Sequence, residues 1–288
     1  MSIDILQDKI RKMKNPSVID LTVLPRDIPE AIGKERSMVE SCLVYSKELL
    51  GALKDLVPAV RFSFDLFALQ GPQGLLALQE LLSYAGQLGY YRLLDCPGIL
   101  NPDQAQVAAE ALLAGDSYPC EALVVLPYIG TDGLKPFVPM CKDGGKTLFV
   151  TVRSPNKSAS EIQDLLTGSR LVHGAAAEIV SRLGEQFSGK YGYSRIAACA
   201  SAGSPESLRS LRTKHNRMFL LVDGLDYPSG NAKNCSLAFD RFGYGAVVCA
   251  GSSITGAWKE EGSGDHLTAA VQAAERMKKN LNRYIDIL

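Results

Sequence analysis

Eight short apolar runs rich in β-branched residues recur along this chain, each followed by a longer segment of helical period. The runs are Val18 to Val23, Ala59 to Phe64, Tyr91 to Asp95, Ala122 to Leu126, Thr147 to Val152, Arg195 to Cys199, Met218 to Val222 and Ala246 to Cys249. The helical segments are Gly33 to Leu56, Pro72 to Leu88, Asp103 to Leu113, Asp132 to Cys141, Ser160 to Leu183, Pro205 to Arg212, Ala232 to Phe239 and His266 to Tyr284. Such alternation argues for a parallel sheet wrapped by helices. Eight of each is the count of a (β/α)8 TIM barrel. An open doubly wound sheet would usually place a Gly-rich turn after its first strand, and Thr22 to Asp27 holds no glycine.

No composition break or Ser/Gly linker divides the 288 residues, so one α/β domain over 1–288 is expected, with a helix over about 1–14 packed on the barrel. Pro72 and Pro205 suit first helical positions, where the missing donor costs nothing. Lys plus Arg equals Asp plus Glu at 31 each, so no global field favours nucleic acid or an acidic membrane. No window reaches the roughly 18 apolar residues that span a bilayer. The seven cysteines are odd in number and widely spaced, without C-x-x-C or a His at ligand spacing, which reads as reduced thiols in a cytoplasmic protein with no metal site. Met1 to Lys9 is an amphipathic start, not an export signal.

In a barrel the chemistry comes from the carboxyl ends of the strands. Asp95 ends the third run and enters a Pro97-Gly98 turn, a position that serves either chemistry or turn formation. Arg61 lies on the second run, where a charge needs a ligand or a partner, and Asp65 and Asp95 are the candidate partners. Cys96, Cys199 and Cys249 at strand ends read as small buried fillers. His173, His215 and His266 fall on helices and are assigned no catalytic role. The last three strand-end loops are rich in Gly and Ser, which lets backbone amides approach an anion.

Three stretches carry a family likeness: Asp55 to Arg61 with Gly71 to Leu75, Leu126 to Phe137, and Phe149 to Ser158 with Gln163 to Leu165. Together they resemble the second, fourth and fifth strand regions of the orotidine 5'-phosphate decarboxylase family in its longer bacterial form. The resemblance implies a site built from a Lys ending strand two and an Asp-x-Lys-x-x-Asp motif ending strand three. Arg61 stands at the first of these positions, Asp95 keeps the second, Pro97 replaces the Lys and Leu100 the final Asp. Decarboxylation there needs an ammonium that stabilises and protonates a carbanion. Proline has no titratable group and arginine stays protonated.

The resemblance also implies binding positions. Thr22 stands where a ribose-contacting Asp is usual, and Pro155, next to Ser154, stands where a pyrimidine contact is expected. The loop Asp223 to Gly230 keeps Gly224 but lacks the Gln that reaches phosphate, and in Ala250 to Ser253 the phosphate-clamping Arg is replaced by Ser252. The candidate ligand-binding residues are Thr22, Ser154, Ser201, Gly203, Gly224, Gly251 and Ser252, with Asp95 and Arg61 as the catalytic candidates should activity remain. The expected protein is a cytoplasmic homodimer of pyrimidine nucleotide metabolism that takes a small, nucleotide-like ligand and no cofactor. Loss of decarboxylation is the first expectation. Altered chemistry on Arg61 and Asp95 is the second, and genuine decarboxylation giving UMP and carbon dioxide the third.

Overall fold

The computed structural model describes residues 2–261 and 265–287. Eight parallel strands close into a barrel: β1 (Ser17–Asp20), β2 (Ala59–Ser63), β3 (Tyr91–Asp95), β4 (Ala122–Val125), β5 (Thr147–Thr151), β8 (Ile196–Ser201), β9 (Leu220–Asp223) and β10 (Ala246–Ala250). The remaining two, β6 (Leu166–Thr167) and β7 (Arg170–Leu171), pair antiparallel as an outlying hairpin. The barrel strands are buried almost throughout, as expected for a sheet covered on both faces. The fold is therefore the single (β/α)8 barrel that the alternation implies.

The helix Ser2–Met13 buries Ile3, Leu6 and Ile10. It is tied to the amino-terminal ends of the strands, because Gln7 Oε1 accepts from Gly245 N at 3.1 Å and Ser2 Oγ lies 2.7 Å from the Tyr91 hydroxyl. That end of the barrel is thus closed, and the carboxyl end is left open for binding. Among the described residues no helix is long and apolar enough to cross a membrane.

Several expected elements differ. The helix expected over Gly33 to Leu56 runs from Met38 to Leu53, starting where Ser37 and Glu40 form a capping box. The helix expected over Ser160 to Leu183 is broken into Ser160–Gln163 and Val172–Gly184 by the β6–β7 hairpin, whose turn uses Gly168 at φ +64°. The Asp132 to Cys141 segment is three short turns, Gly130–Leu134, Lys135–Phe137 and Val138–Lys142, because Pro136 and Pro139 each remove a backbone donor. Strand β1 stops at Asp20 rather than Val23: the Asp20 carboxylate accepts from Thr22 N at 2.9 Å and turns the chain out of the sheet.

Candidate functional site

The open end is organised by Arg61. Asp20 and Arg61 are register partners on the β1–β2 ladder, and Arg61 Nη2 donates to Asp20 Oδ2 at 2.6 Å. The same guanidinium reaches across the lumen to the end of β9, where Nη1 donates to Asp223 Oδ2 at 2.8 Å and Nη2 approaches Asp223 Oδ1 at 3.4 Å. Its side chain is only 9% exposed. Burial alone would push the Arg61 guanidinium toward losing its proton, but Asp20 and Asp223 overcome this and raise it further above its ordinary value. Burial likewise disfavours the Asp20 carboxylate, yet Arg61 holds it below the usual range. A double ion pair of this kind fixes one conformation and leaves the cation unable to give up a proton.

The expected partners of Arg61, Asp65 and Asp95, are not the ones it takes. Asp65 Oδ2 accepts from Gly98 N at 2.9 Å and so pins the loop after β3. In that loop Ile99 is buried, whereas Leu100 points to solvent at 61% exposure and does not fill the barrel mouth. The Asp95 side chain makes no hydrogen bond among the described residues. Burial pushes its carboxyl up to about 7; Arg61 opposes the rise, while Asp20, Asp223 and Asp65 add to it. An Asp poised there is half-protonated near neutral pH and can both donate and accept a proton.

The strand-end thiols are inert by the same physics. Burial raises Cys96 to about 12 and carries Cys199 and Cys249 higher still, so nearby Arg61 does not yield a thiolate. Among the described residues no group of three or more His, Cys, Asp or Glu is placed to hold a metal ion.

Two clefts open at this end. The first, about 440 Å3, is lined by Asp20, Thr22, Arg61, Asp223, Gly224, Asp226, Gly251 and Ser252 among others, with Arg26 as its second cation. Its β10 loop offers backbone amides, but Asp226 Oδ2 already accepts from Gly251 N at 2.6 Å and Ser253 N at 3.4 Å. The Ser252 hydroxyl donates to Asp27 Oδ2 at 2.9 Å, and Lys259 pairs with Asp27 Oδ1 at 2.7 Å. The Gly251 and Ser253 amides and the Ser252 hydroxyl are thus met from within the chain. Among the described lining residues there is no lysine.

The second cleft, about 360 Å3, holds Ser154, Ser201 and Gly203. Pro155, Tyr227 and Pro228 line both clefts and form the ridge between them. Gly224, at φ +80°, admits the ridge: a Cβ there would stand 2.4 Å from Pro155 Cβ. The seven expected binding residues are therefore divided, with Thr22, Gly224, Gly251 and Ser252 in the first cleft and Ser154, Ser201 and Gly203 in the second. Asp95 lies beside Arg61 at the end of β3 and lines neither cleft. Sequence reasoning missed Asp20, because extending the first strand to Val23 moved its functional end two residues past the carboxylate. It also missed the joint presence of Lys157 and Ser204 in the second cleft, which no sequence spacing signals.

No family model matches the chain. A curated relative, the orotidine 5'-phosphate decarboxylase of Rhodopirellula baltica, is 31% identical over 248 residues, covering 84% of this chain and 82% of the relative. The chain belongs to the orotidine 5'-phosphate decarboxylase family. A second member of that family, from Clostridium acetobutylicum, is 28% identical over 289 residues and covers 98% of this chain and 100% of the relative. Among solved structures, the OMP decarboxylase of Leishmania donovani superposes with a TM-score of 0.74 at 19% identity, covering 99% of this chain and 98% of the other. That likeness extends the family's barrel over the whole chain.

Proposed function

We propose that this member of the orotidine 5'-phosphate decarboxylase family no longer decarboxylates and instead binds a small, nucleotide-like ligand of pyrimidine metabolism at its barrel mouth. The observation that carries the reading is the lock on Arg61: this cation on the barrel wall is held by Asp20 and Asp223, and among the described residues no lysine lines the cleft. A carbanion formed beside it would meet no ammonium: the neighbouring acid is the Asp95 carboxyl, which is neutral when protonated and anionic afterwards and so cannot offset the developing charge. The position of Pro97 and Leu100 in the loop after β3 agrees, since neither side chain carries a proton or a charge. Asp226 on the β10 amides argues further against a phosphate dianion in that loop.

Release of carbon dioxide from orotidine 5'-phosphate by protein purified from a decarboxylase-deficient host is the deciding measurement. Turnover above the uncatalysed rate would overturn the proposal and restore the genuine enzyme. Asp95 favours a second reading, altered acid-base chemistry, because its free carboxyl sits near 7 beside a fixed guanidinium. The protein would act in the cytoplasm as a homodimer, as the family likeness implies. Leu66 and Leu69 after β2, Leu100 and Val107 after β3, and Tyr128 after β4 support a partner face, being exposed apolar side chains that follow three neighbouring strands.

A further inference from the structure

The two clefts have opposite character. The first carries Asp20, Asp223 and Asp226 against Arg61 and Arg26, whereas no carboxylate lines the second among the described residues. The cations of the second are Arg153 and Lys157. Arg153 is committed, since Nη2 donates to Asp164 at 2.9 Å and Nη1 to Gln163 at 3.2 Å. Lys157 is exposed and has no ion-pair or hydrogen-bond partner among the described residues.

Hydroxyl donors there are also unspent. Ser201 is 3% exposed; its Oγ accepts from Gly203 N at 3.1 Å, and its own proton finds no acceptor among the described residues. Ser204 precedes the helix Pro205–Lys214, and its side chain caps nothing. Ser229 lines the same cleft, likewise without a hydrogen-bond partner among the described residues. Only Ser201 is buried, where a hydroxyl proton without an acceptor is costly; Ser204 is half-buried and Ser229 exposed, and these three donors with the Lys157 ammonium complement a ligand that only accepts. Phosphate oxygens are that ligand, and the start of a ten-residue helix adds favourable dipole.

We propose that the second cleft is a phosphate site, taking a phosphate dianion, free or as a monoester, on Lys157, Ser201, Ser204 and Ser229. It replaces the β10 loop, whose amides Asp226 occupies. The site goes beyond the proposed loss of decarboxylation and does not depend on it, because carbon dioxide release reports on the first cleft alone. Titration of the intact protein in low salt with inorganic phosphate, and separately with glycerol 3-phosphate, tests it by calorimetry. Saturable binding of either is expected; the stronger of the two identifies the source. Lys157→Ala should weaken binding by about tenfold or more and Ser201→Ala by several-fold, with Arg26→Ala leaving it unchanged. Lys157 is exposed, so its variant retains the fold, checked by circular dichroism. No saturable binding of either anion, or binding lost in Arg26→Ala and kept in Lys157→Ala, would overturn the proposal.

Discussion

Arg61 is held by Asp20, its register partner on the neighbouring strand, before it reaches Asp223 across the lumen. Removing the guanidinium leaves Asp20, Asp223 and Asp95 facing one another around a low-dielectric space. Arg61→Met should therefore lower stability by about 3–5 kcal/mol at pH 7, the usual cost of stranding one side of a buried pair. In the wild type Asp20 is held below its ordinary 3.8, so its contribution is complete above that value and is lost as pH falls through the lower folded value. The variant has no such contribution to lose. The gap between the two proteins should narrow on acidification below about pH 4. Urea unfolding at both pH values checks this, and a gap under about 1 kcal/mol at pH 7 would show the bridge to be dispensable.

Asp95 gives the opposite sign. Its carboxyl titrates at about 7 in the folded protein against an ordinary 3.8, so between those values the folded state holds a proton that the unfolded state has lost. Stability should fall as pH rises from about 4 to 7 and level off above. Asn mimics the protonated form. Asp95→Asn is expected to be more stable than wild type at pH 8 by about 1–3 kcal/mol, less than the full shift because the carboxyl keeps some solvent contact, and to match it near pH 4. Melting curves at the two pH values decide, and parallel pH profiles for the two proteins would rule out the raised carboxyl.

The barrel is legible in the sequence because its strands are buried on both faces and read as continuous apolar runs; β3 runs from Tyr91 to Asp95 in both descriptions. Helix interiors are harder. The break at Gly168 rests on a two-residue turn inside an otherwise periodic stretch, and periodicity averages over it. The site is legible by position and not by pairing. Arg61 and Asp95 fall where strand ends predict, but choosing Asp20 over Asp65 as a partner needs the inter-strand register, which a single sequence does not encode. The occupation of the Gly251 amide by Asp226, 25 residues earlier, likewise depends on how two loops fold onto each other.

Asp226 acts as an internal anion on the β10 loop. Asp226→Ala strips the acceptor from Gly251 N, and a loss of about 0.5–1 kcal/mol is expected, since water reaches the exposed loop and replaces part of the bond. Hydrogen exchange at the Gly251 amide should accelerate. The vacated amides then become available to a ligand. In a Lys157→Ala background, which weakens the second cleft, uridine 5'-monophosphate should raise the melting temperature of the Asp226→Ala protein by more than that of Lys157→Ala alone. Equal responses of the two proteins would mean that Asp226 does not guard the loop.

The apolar face around the loops after β2, β3 and β4 carries the oligomer prediction. Leu69 and Tyr128 are each 81% exposed, a large hydrophobic cost for a free monomer. Light scattering should give twice the 31.1 kDa chain mass for the wild type. Introducing a charge at each position, Leu69→Glu with Tyr128→Glu, places unpaired carboxylates in an interface that has no room to hydrate them, at a cost of several kcal/mol. The double variant should run as a monomer with an unchanged far-ultraviolet spectrum, because both side chains lie outside the core. A wild type that is already monomeric at micromolar concentration, or a double variant that stays dimeric, would place the partner face elsewhere.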